Sequence, residues 1–237
     1  MIDKSDIKGL IFDYGGTLDT GGCHWGKRIW HGYEHAGVPV SEEMFRQAYV
    51  YAERELAKNP IIQSDYTFYM TLKTKVAIQM EYLAREGCNV RAEQWLNPVV
   101  DALYEKTRQE TKRSVDTIKW LSKRYPMVLV SNFYGNIHTV LSEMGFDGYF
   151  SQVIESAVVG VRKPNPEIFI LGVKALGMDA DNTLVVGDSY DKDIVPAHQA
   201  GCHTVWIQGE PWTEQPIEGN GVADAVITEL EELTTIL

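Results

Sequence analysis

The amino-acid sequence predicts a doubly wound α/β fold with a parallel sheet, interrupted by an all-helical insertion. Short apolar runs occur at residues 9–13, 127–131, 183–188 and 203–207, and the first three end in a polar residue. Continuous rather than alternating hydrophobicity is typical of strands buried on both faces, as in a parallel sheet. Between about residues 22 and 112, apolar side chains recur only at helical spacing.

Helical patterns separate the predicted strands. Residues 115–121, 137–144 and 168–176 each carry apolar side chains three or four positions apart. Alternation of this kind predicts that residues 1–21 and 113–237 together form the α/β core domain. A last apolar piece at 225–227 predicts one more strand, and 229–237 a final helix.

The insertion at residues 22–112 is predicted to be a helical cap domain. It follows the first strand, so it leaves the sheet at the carboxyl end of that strand, where open α/β sheets bind ligands. We therefore expect it to cover a binding site. A helical bundle that only stabilises the fold is the alternative.

The composition and charge of the chain argue against several classes of partner. The chain has 237 residues, with 33 acidic against 22 basic side chains and a formal charge of −11. No dense block of Lys and Arg is present, so we expect neither nucleic acid nor an anionic membrane as partner. The only continuous apolar run near the start is 10–12, too short for a signal peptide, which predicts a cytoplasmic protein. Three cysteines without CxxC spacing predict reduced thiols.

Polar groups suited to phosphoryl transfer follow four predicted strand or loop segments. Taken singly, each has an ordinary explanation as a turn former, a helix cap or a surface charge. Together, in this order, they indicate a site at one edge of the sheet. The groups are Asp13 with the Gly-rich turn 14–18, Ser131 with Asn132, Lys163, and Asp188 with Asp191 and Asp193.

These segments resemble a known family. IFDYGGTLD, LVSN, the lysine of VRKPNPEIF, and VVGDSYDKD are similar to the four motifs of the haloacid dehalogenase-like (HAD) hydrolase superfamily. The insertion after the first motif resembles the small C1-type cap of its subfamily I. The resemblance covers essentially the whole chain, and it implies a Rossmann-like core and hydrolase activity.

The resemblance implies a nucleophile and a metal site. Asp13 matches the family nucleophile, which attacks phosphorus and forms an aspartyl-phosphate. Asp188 matches the carboxylate that holds Mg²⁺ together with Asp13, and the carbonyl of Gly15 is expected as a third ligand. Asp193 is expected to orient Lys163 or metal-bound water.

The same resemblance implies contacts to the phosphoryl group. Ser131 matches the residue that donates a hydrogen bond to a phosphoryl oxygen, and Asn132 is expected to assist. Lys163 matches the lysine that neutralises charge on the nucleophile and the transferred group. The Gly-rich turn is expected to bind the anion through Gly16 and Thr17.

The first motif departs from the family pattern at Gly15. Most phosphatases of the superfamily carry a second Asp there, which protonates the leaving group and then activates water. Such general acid/base catalysis typically contributes about a hundredfold to ten-thousandfold in rate. Metal binding through the backbone carbonyl survives the change, so the loss is expected to affect chemistry more than affinity.

Three interpretations of this departure remain open. In the first, the chain is a phosphatase acting on a small phosphorylated metabolite, with another acid or with leaving groups that need no proton; the candidate acids are Asp19, His24, His31 and Asp191. In the second, it resembles phosphonatases, with a cap lysine such as Lys58, Lys73 or Lys75, or L-2-haloacid dehalogenases. In the third, it is a noncatalytic phosphate-binding or interaction relative.

The segment 23–35 is rich in rings and joins sheet and cap. We predict that Trp25, Arg28, Trp30 and His31 line the substrate entrance, with Arg28 binding an anionic group. The alternative is an amphipathic hinge helix whose aromatic rings pack on the cap. The sequence does not predict the physiological substrate or the oligomeric state.

Overall fold

A computed structural model describes residues 4–212 and 221–237. Residues 1–3 and 213–220, which the sequence prediction assigns to the core, lie outside the described residues. The centre of the described structure is a six-stranded parallel sheet in the order β3-β2-β1-β4-β5-β6. The strands are β1 (Gly9–Phe12), β2 (Met127–Ser131), β3 (Gln152–Glu155), β4 (Thr183–Gly187), β5 (His203–Ile207) and β6 (Ala225–Ile227).

Strand β1 lies at the centre of the site-forming part of the sheet. Its Leu10 is in register with Met127 of β2 on one side and with Leu184 of β4 on the other. Every residue of these three strands is buried, which explains their unbroken apolar runs. The residues that follow β1, β2 and β4 therefore meet at one edge of the sheet.

Strand β3 has no counterpart among the strands predicted from the sequence. It pairs only with β2 and forms one edge of the described sheet. Its first residue, Gln152, is exposed, and only Val153 and Ile154 are apolar. An edge strand needs no long apolar run, so hydrophobic patterning carries little signal for it.

The predicted insertion is helical, and the predicted α/β class is confirmed. Ser41 and Thr67 begin two of its helices by accepting hydrogen bonds from the backbone N–H groups of Met44 and Met70. The helices are α1 (Trp25–Ala36), α2 (Glu42–Lys58), α3 (Phe68–Arg85), α4 (Ala92–Leu121), α5 (Ile137–Glu143), α6 (Ser156–Val159), α7 (Glu167–Leu176), α8 (Val195–Gln199) and α9 (Leu233–Ile236).

Helix α4 continues from the insertion into the core. It runs without interruption through the boundary predicted between residues 112 and 113, and it contacts both α1 and α9. No break in the backbone marks that boundary. Among residues 4–212 and 221–237, no helix is long and apolar enough to span a bilayer.

The loop after β5 packs against the insertion. The ring of Trp212 stacks on His24 with centroids 5.5 Å apart and contacts Tyr49 at 4.8 Å. Arg46 donates a hydrogen bond to the Trp212 carbonyl oxygen at 2.8 Å. Beneath this contact, a Cβ on Gly22 would lie 2.8 Å from the backbone nitrogen of Gly209, so glycine is required for the close approach. The core thus holds the insertion over the carboxyl edge of the sheet.

Candidate active site

Asp13 lies directly after β1, where its backbone N–H donates to the Val186 carbonyl of β4 at 3.0 Å. Its side-chain Oδ1 accepts hydrogen bonds from the Ser131 hydroxyl at 3.1 Å and from Lys163 Nζ at 2.5 Å. All three side chains are buried. The structure therefore brings the predicted nucleophile, hydroxyl and lysine together.

Lys163 is held between two carboxylates. Its Nζ lies 2.5 Å from Asp13 Oδ1 and 2.6 Å from Asp193 Oδ1. Burial lowers the pKa of the Lys163 ammonium, but the charges of Asp13 and Asp193 outweigh it and hold that pKa above its ordinary value. Asn132 fixes the lysine's backbone through two hydrogen bonds, of 3.1 and 3.0 Å. The Asn132 side chain therefore holds the backbone of Lys163 in place.

Three carboxylates form a compact cluster suited to a cation. One oxygen from each of Asp13, Asp188 and Asp193 lies within 4.8 Å of the others. Lys163 forms ion pairs with Asp13 and Asp193. The Asp188 carboxylate instead accepts a hydrogen bond from the Thr17 hydroxyl, 3.2 Å from its Oδ1. Burial, reinforced by Asp193 and Asp13, raises the pKa of Asp188 well above its usual range. A divalent cation beside Asp13 and Asp188 would relieve this excess of negative charge, so the residues fit a magnesium ion.

The turn after Asp13 is shaped by contacts to carboxylates. Gly16 has φ of +101°, and a Cβ at this position would collide with the Asp188 carboxylate. Its N–H donates to Asp19 Oδ1 at 2.7 Å, and the Thr17 hydroxyl is fully buried near Asp13 and Asp188. These contacts direct Gly16 and Thr17 to protein carboxylates and do not support their predicted contacts to substrate.

A cavity of about 640 Å³ separates this cluster from the inserted helices. Its size suits a small molecule. On the core side it is bordered by Asp13, Gly15, Ser131, Asn132, Lys163, Asp188 and Asp193. On the opposite side it is bordered by His24, Trp25, Tyr49, Glu53, Phe68, Thr71 and Lys75, among others.

Glu53 borders the cavity without having been predicted to do so, and Lys75 is one of the three lysines proposed above for an imine. The sequence of α3 contains a pattern from which the position of Lys75 could have been predicted. Thr71, Lys75 and Gln79 recur every four residues, next to a buried apolar stripe of the same helix. Polar side chains on a buried helical face indicate a polar cavity or network there.

The four candidate replacement acids occupy different environments. Asp19 is buried and accepts hydrogen bonds from Gly16 N–H and Trp25 Nε1, so it supports the turn and does not border the cavity; burial raises its pKa to about 7. His31 is exposed and lies 2.7 Å from Glu210 Oε2. Asp191 is also exposed and does not border the cavity.

His24 is the one of the four that borders the cavity. Its Nδ1 accepts the N–H of Gly26 at 3.0 Å and so caps α1. Burial lowers the pKa of His24 to about 4, which makes its imidazole neutral near pH 7. A neutral imidazole whose Nδ1 is already an acceptor can offer only a weakly acidic Nε2 proton.

Arg28 is not at the substrate entrance. It is 3% exposed, and its guanidinium donates to the Thr20 carbonyl at 3.0 Å and to Glu110 Oε2 at 2.5 Å. It does not border the cavity. This position corrects the prediction that Arg28 binds substrate: the side chain instead ties α1 and the loop after Asp13 to α4.

We expect Arg28→Met to lower stability and leave substrate affinity unchanged. Breaking a largely buried ion pair strands the Glu110 charge, at a cost of about 2–4 kcal/mol in the free energy of unfolding. Urea unfolding measures that cost, and KM is expected to stay within about twofold. Lys27→Met is the matched control, since its pair with Glu42 at 3.0 Å is more exposed and contributes less than about 1 kcal/mol. A large rise in KM for Arg28→Met with unchanged stability would restore the substrate role.

The chain is similar to known proteins in sequence and in fold. A model of the haloacid dehalogenase-like hydrolase family matches residues 7–201. Glyceraldehyde 3-phosphate phosphatase from Pyrococcus furiosus is 37% identical over 91 residues, which cover 38% of this chain and 38% of that protein. The chain thus matches about two fifths of the length of such curated relatives.

Solved structures share the fold across the whole chain. The magnesium-bound HAD-hydrolase YfnB from Bacillus subtilis has a TM-score of 0.59 at 20% identity and 98% coverage of both chains. A dehalogenase structure has a TM-score of 0.64 at 15% identity, covering 100% of this chain and 99% of the other. At such identities the likeness concerns the fold alone. The family match, which extends over most of the chain and includes all four motifs, establishes that the protein belongs to the haloacid dehalogenase-like hydrolases.

Proposed function

We propose that this hydrolase is a magnesium-dependent phosphatase that acts on a small phosphorylated metabolite through an aspartyl-phosphate on Asp13. The observation that carries the proposal is the Asp13 carboxylate at the edge of a 640 Å³ cavity, with Lys163 and Ser131 bound to it. The name of the Pyrococcus furiosus relative supports a phosphorylated three-carbon substrate or a similar small molecule.

Two displacements at phosphorus account for the reaction. In the first, a carboxylate oxygen of Asp13 attacks phosphorus, the bond to the ester oxygen breaks, and the alkoxide leaves and takes a proton from water. In the second, water attacks the same phosphorus, releases phosphate and regenerates the carboxylate. Lys163 offsets the charge of the carboxylate and the phosphoryl group, and Ser131 orients them. With Gly15 at the usual acid position, no side chain there protonates the departing alkoxide.

Asp13, Asp188 and the Gly15 carbonyl are the groups that would hold magnesium. When bound, the ion lets two anions, carboxylate and phosphate, approach each other. Asp193 is engaged by Lys163 and by the Ser189 N–H at 3.0 Å, so we assign it to orienting the lysine. We also propose that the inserted helices, residues 22–112, serve as a C1-type cap that excludes water from the reacting groups.

The residues of the site give less support to the phosphonatase, dehalogenase and noncatalytic interpretations. A phosphonatase that used Lys75 would need this lysine neutral to form an imine, whereas the Glu53 carboxylate, 2.7 Å away, keeps it charged. A dehalogenase mechanism leaves the carboxylate of Asp188 without a purpose. A noncatalytic relative has no need to keep the buried Asp13 and Lys163 beside the partly buried Asp188, since charges removed from water are costly.

Hydrolysis of p-nitrophenyl phosphate tests the proposed function, because its phenolate leaving group needs little protonation. We expect phosphate release with Mg²⁺, loss of release after treatment with EDTA, and recovery when Mg²⁺ is added back. Release that is unaffected by EDTA, or no release above the protein-free rate at any Mg²⁺ concentration, contradicts the proposal.

We expect Asp188→Asn to weaken magnesium binding. The variant removes one of two anionic ligands, and the Mg²⁺ concentration for half-maximal activity is expected to rise about tenfold or more. Asp181→Asn, which changes an exposed carboxylate before β4, is the control and is expected to keep the wild-type magnesium dependence. An unchanged magnesium dependence in Asp188→Asn would remove Asp188 from the metal site.

A further inference from the structure

A polar cluster on the cavity wall is not used by the proposed reaction. Glu53 of α2 and Lys75 of α3 form an ion pair, with Lys75 Nζ 2.7 Å from Glu53 Oε1. Tyr134, just after β2, donates its hydroxyl to Glu53 Oε2 at 3.1 Å, and Lys75 Nζ lies 5.1 Å from the centre of its ring. All three residues border the cavity that contains Asp13. The cluster therefore joins the cap to the core at the wall of this cavity.

The cluster has free hydrogen-bonding capacity on the cavity side. Lys75 is 8% exposed, whereas 34% of the Glu53 side chain remains accessible. Each carboxylate oxygen has a second lone pair and the ammonium has three protons, so the contacts within the cluster do not saturate either group. A ligand in the cavity can accept from Lys75 and donate to Glu53.

Both members of the pair are charged. Burial favours neutral forms, raising the pKa of Glu53 and lowering that of Lys75, but each charge outweighs this effect on the other. The result is a Glu53 pKa below and a Lys75 pKa above the ordinary value. The net charge of the pair is zero, so it attracts hydroxyl groups, which both donate and accept, more than it attracts ions of either sign.

A stabilising role alone does not account for this arrangement. Well-packed apolar residues of similar volume commonly stabilise a protein as well as or better than a buried ion pair. The neighbouring wall is apolar and aromatic, with Trp25, Tyr49 and Phe68. Such a wall packs against the C–H faces of a sugar or polyol while a few polar groups set its orientation.

We propose that Glu53, Lys75 and Tyr134 form the leaving-group subsite, which selects phosphomonoesters of uncharged, hydroxyl-bearing alcohols such as polyols and sugars. The proposal rests on the phosphatase function. The pair determines selectivity by its charge balance, so removing one member changes the preferred charge of the leaving group in a direction that can be stated in advance.

The test compares three small esters: glycerol 3-phosphate, 3-phosphoglycerate and phosphoethanolamine, whose leaving groups are neutral, anionic and cationic. Dissociation constants are measured by calorimetry with Mg²⁺ in the Asp13→Asn background, so that no ester is consumed. We expect the parent to favour glycerol 3-phosphate. Adding Glu53→Gln is expected to shift the affinity ratio at least about tenfold toward 3-phosphoglycerate, and adding Lys75→Met a similar amount toward phosphoethanolamine.

Two comparisons separate this role from a structural one. A general loss of packing weakens all three esters together, whereas the proposal requires opposite shifts in the two single variants and neither shift when both substitutions are combined. Glu55→Gln and Lys73→Met change the same helices outside the cavity and are expected to leave all ratios unchanged. Equal ratios in every variant overturn the subsite.

Turnover of the protein with Asp13 intact is measured separately. Charge-dependent binding of the esters without release of phosphate from p-nitrophenyl phosphate contradicts the proposed phosphatase function and supports the subsite. Hydrolysis of all three esters with unchanged binding ratios supports the phosphatase function and contradicts the subsite. The two failures therefore have different signatures.

Discussion

Asp13→Asn is expected to lower kcat for p-nitrophenyl phosphate by about a thousandfold or more. The amide cannot form the acyl phosphate, and it removes one of the two anionic metal ligands. The measurement is the rate of phosphate release at saturating Mg²⁺, followed long enough to detect a rate near the uncatalysed one.

The fold is expected to survive this change. Lys163 keeps its partner Asp193, and Asn is close to Asp in shape, so thermal unfolding is expected to remain cooperative. Asp116→Asn, at an exposed position of α4, is a matched control that should retain full activity. Activity of Asp13→Asn within tenfold of the wild type would show that Asp13 is not the nucleophile.

Gly15→Asp is expected to increase kcat for an alkyl phosphate such as glycerol 3-phosphate by about a hundredfold to ten-thousandfold. Alkoxides are poor leaving groups, and the new carboxyl group stands where related phosphatases carry their acid. For p-nitrophenyl phosphate the gain in the first step is expected to be small. The ratio of the two rate changes is therefore the informative quantity.

The local structure permits the substitution. Gly15 does not have the positive φ that Gly16 has, and a Cβ on Gly15 would lie 3.6 Å from Trp25 Cδ1, an ordinary contact distance. Gly15→Asn has nearly the same shape but no transferable proton, and it is expected to give no gain. An unchanged rate for the alkyl ester in Gly15→Asp would mean that another group already supplies the proton.

The positions of the described strands other than β3, and the cluster around Asp13, could be predicted because both depend on local sequence. Runs such as residues 127–131 are buried on both faces, and the polar residues directly after them must lie at the carboxyl edge. Asp13, Ser131 and Asp188 meet for that reason alone. Lys163 follows no predicted strand, so its place beside Asp13 rested on the resemblance between motifs.

The cap contacts could not be predicted in the same way. Whether Arg28 faces a ligand or Glu110 depends on the packing of α1 against α4, residues 82 positions apart. The contact of Glu53 with Tyr134 likewise spans 81 positions. Sequence patterning identifies the face of a helix, but it does not identify the element that this face meets.

The indole of Trp25 connects the turn after Asp13 to the first helix of the cap. Its Nε1 donates to Asp19 at 2.9 Å, and Asp19 in turn accepts the N–H of Gly16, while Trp25 itself is the first residue of α1. Asp19 and Trp25 are only six positions apart, so the chain between them is short. A movement that carries the first turn of α1 away from the sheet must therefore either break the indole hydrogen bond or displace the turn after Asp13. Movement of this end of α1 and the shape of the loop that bears Asp13 are, for this reason, coupled.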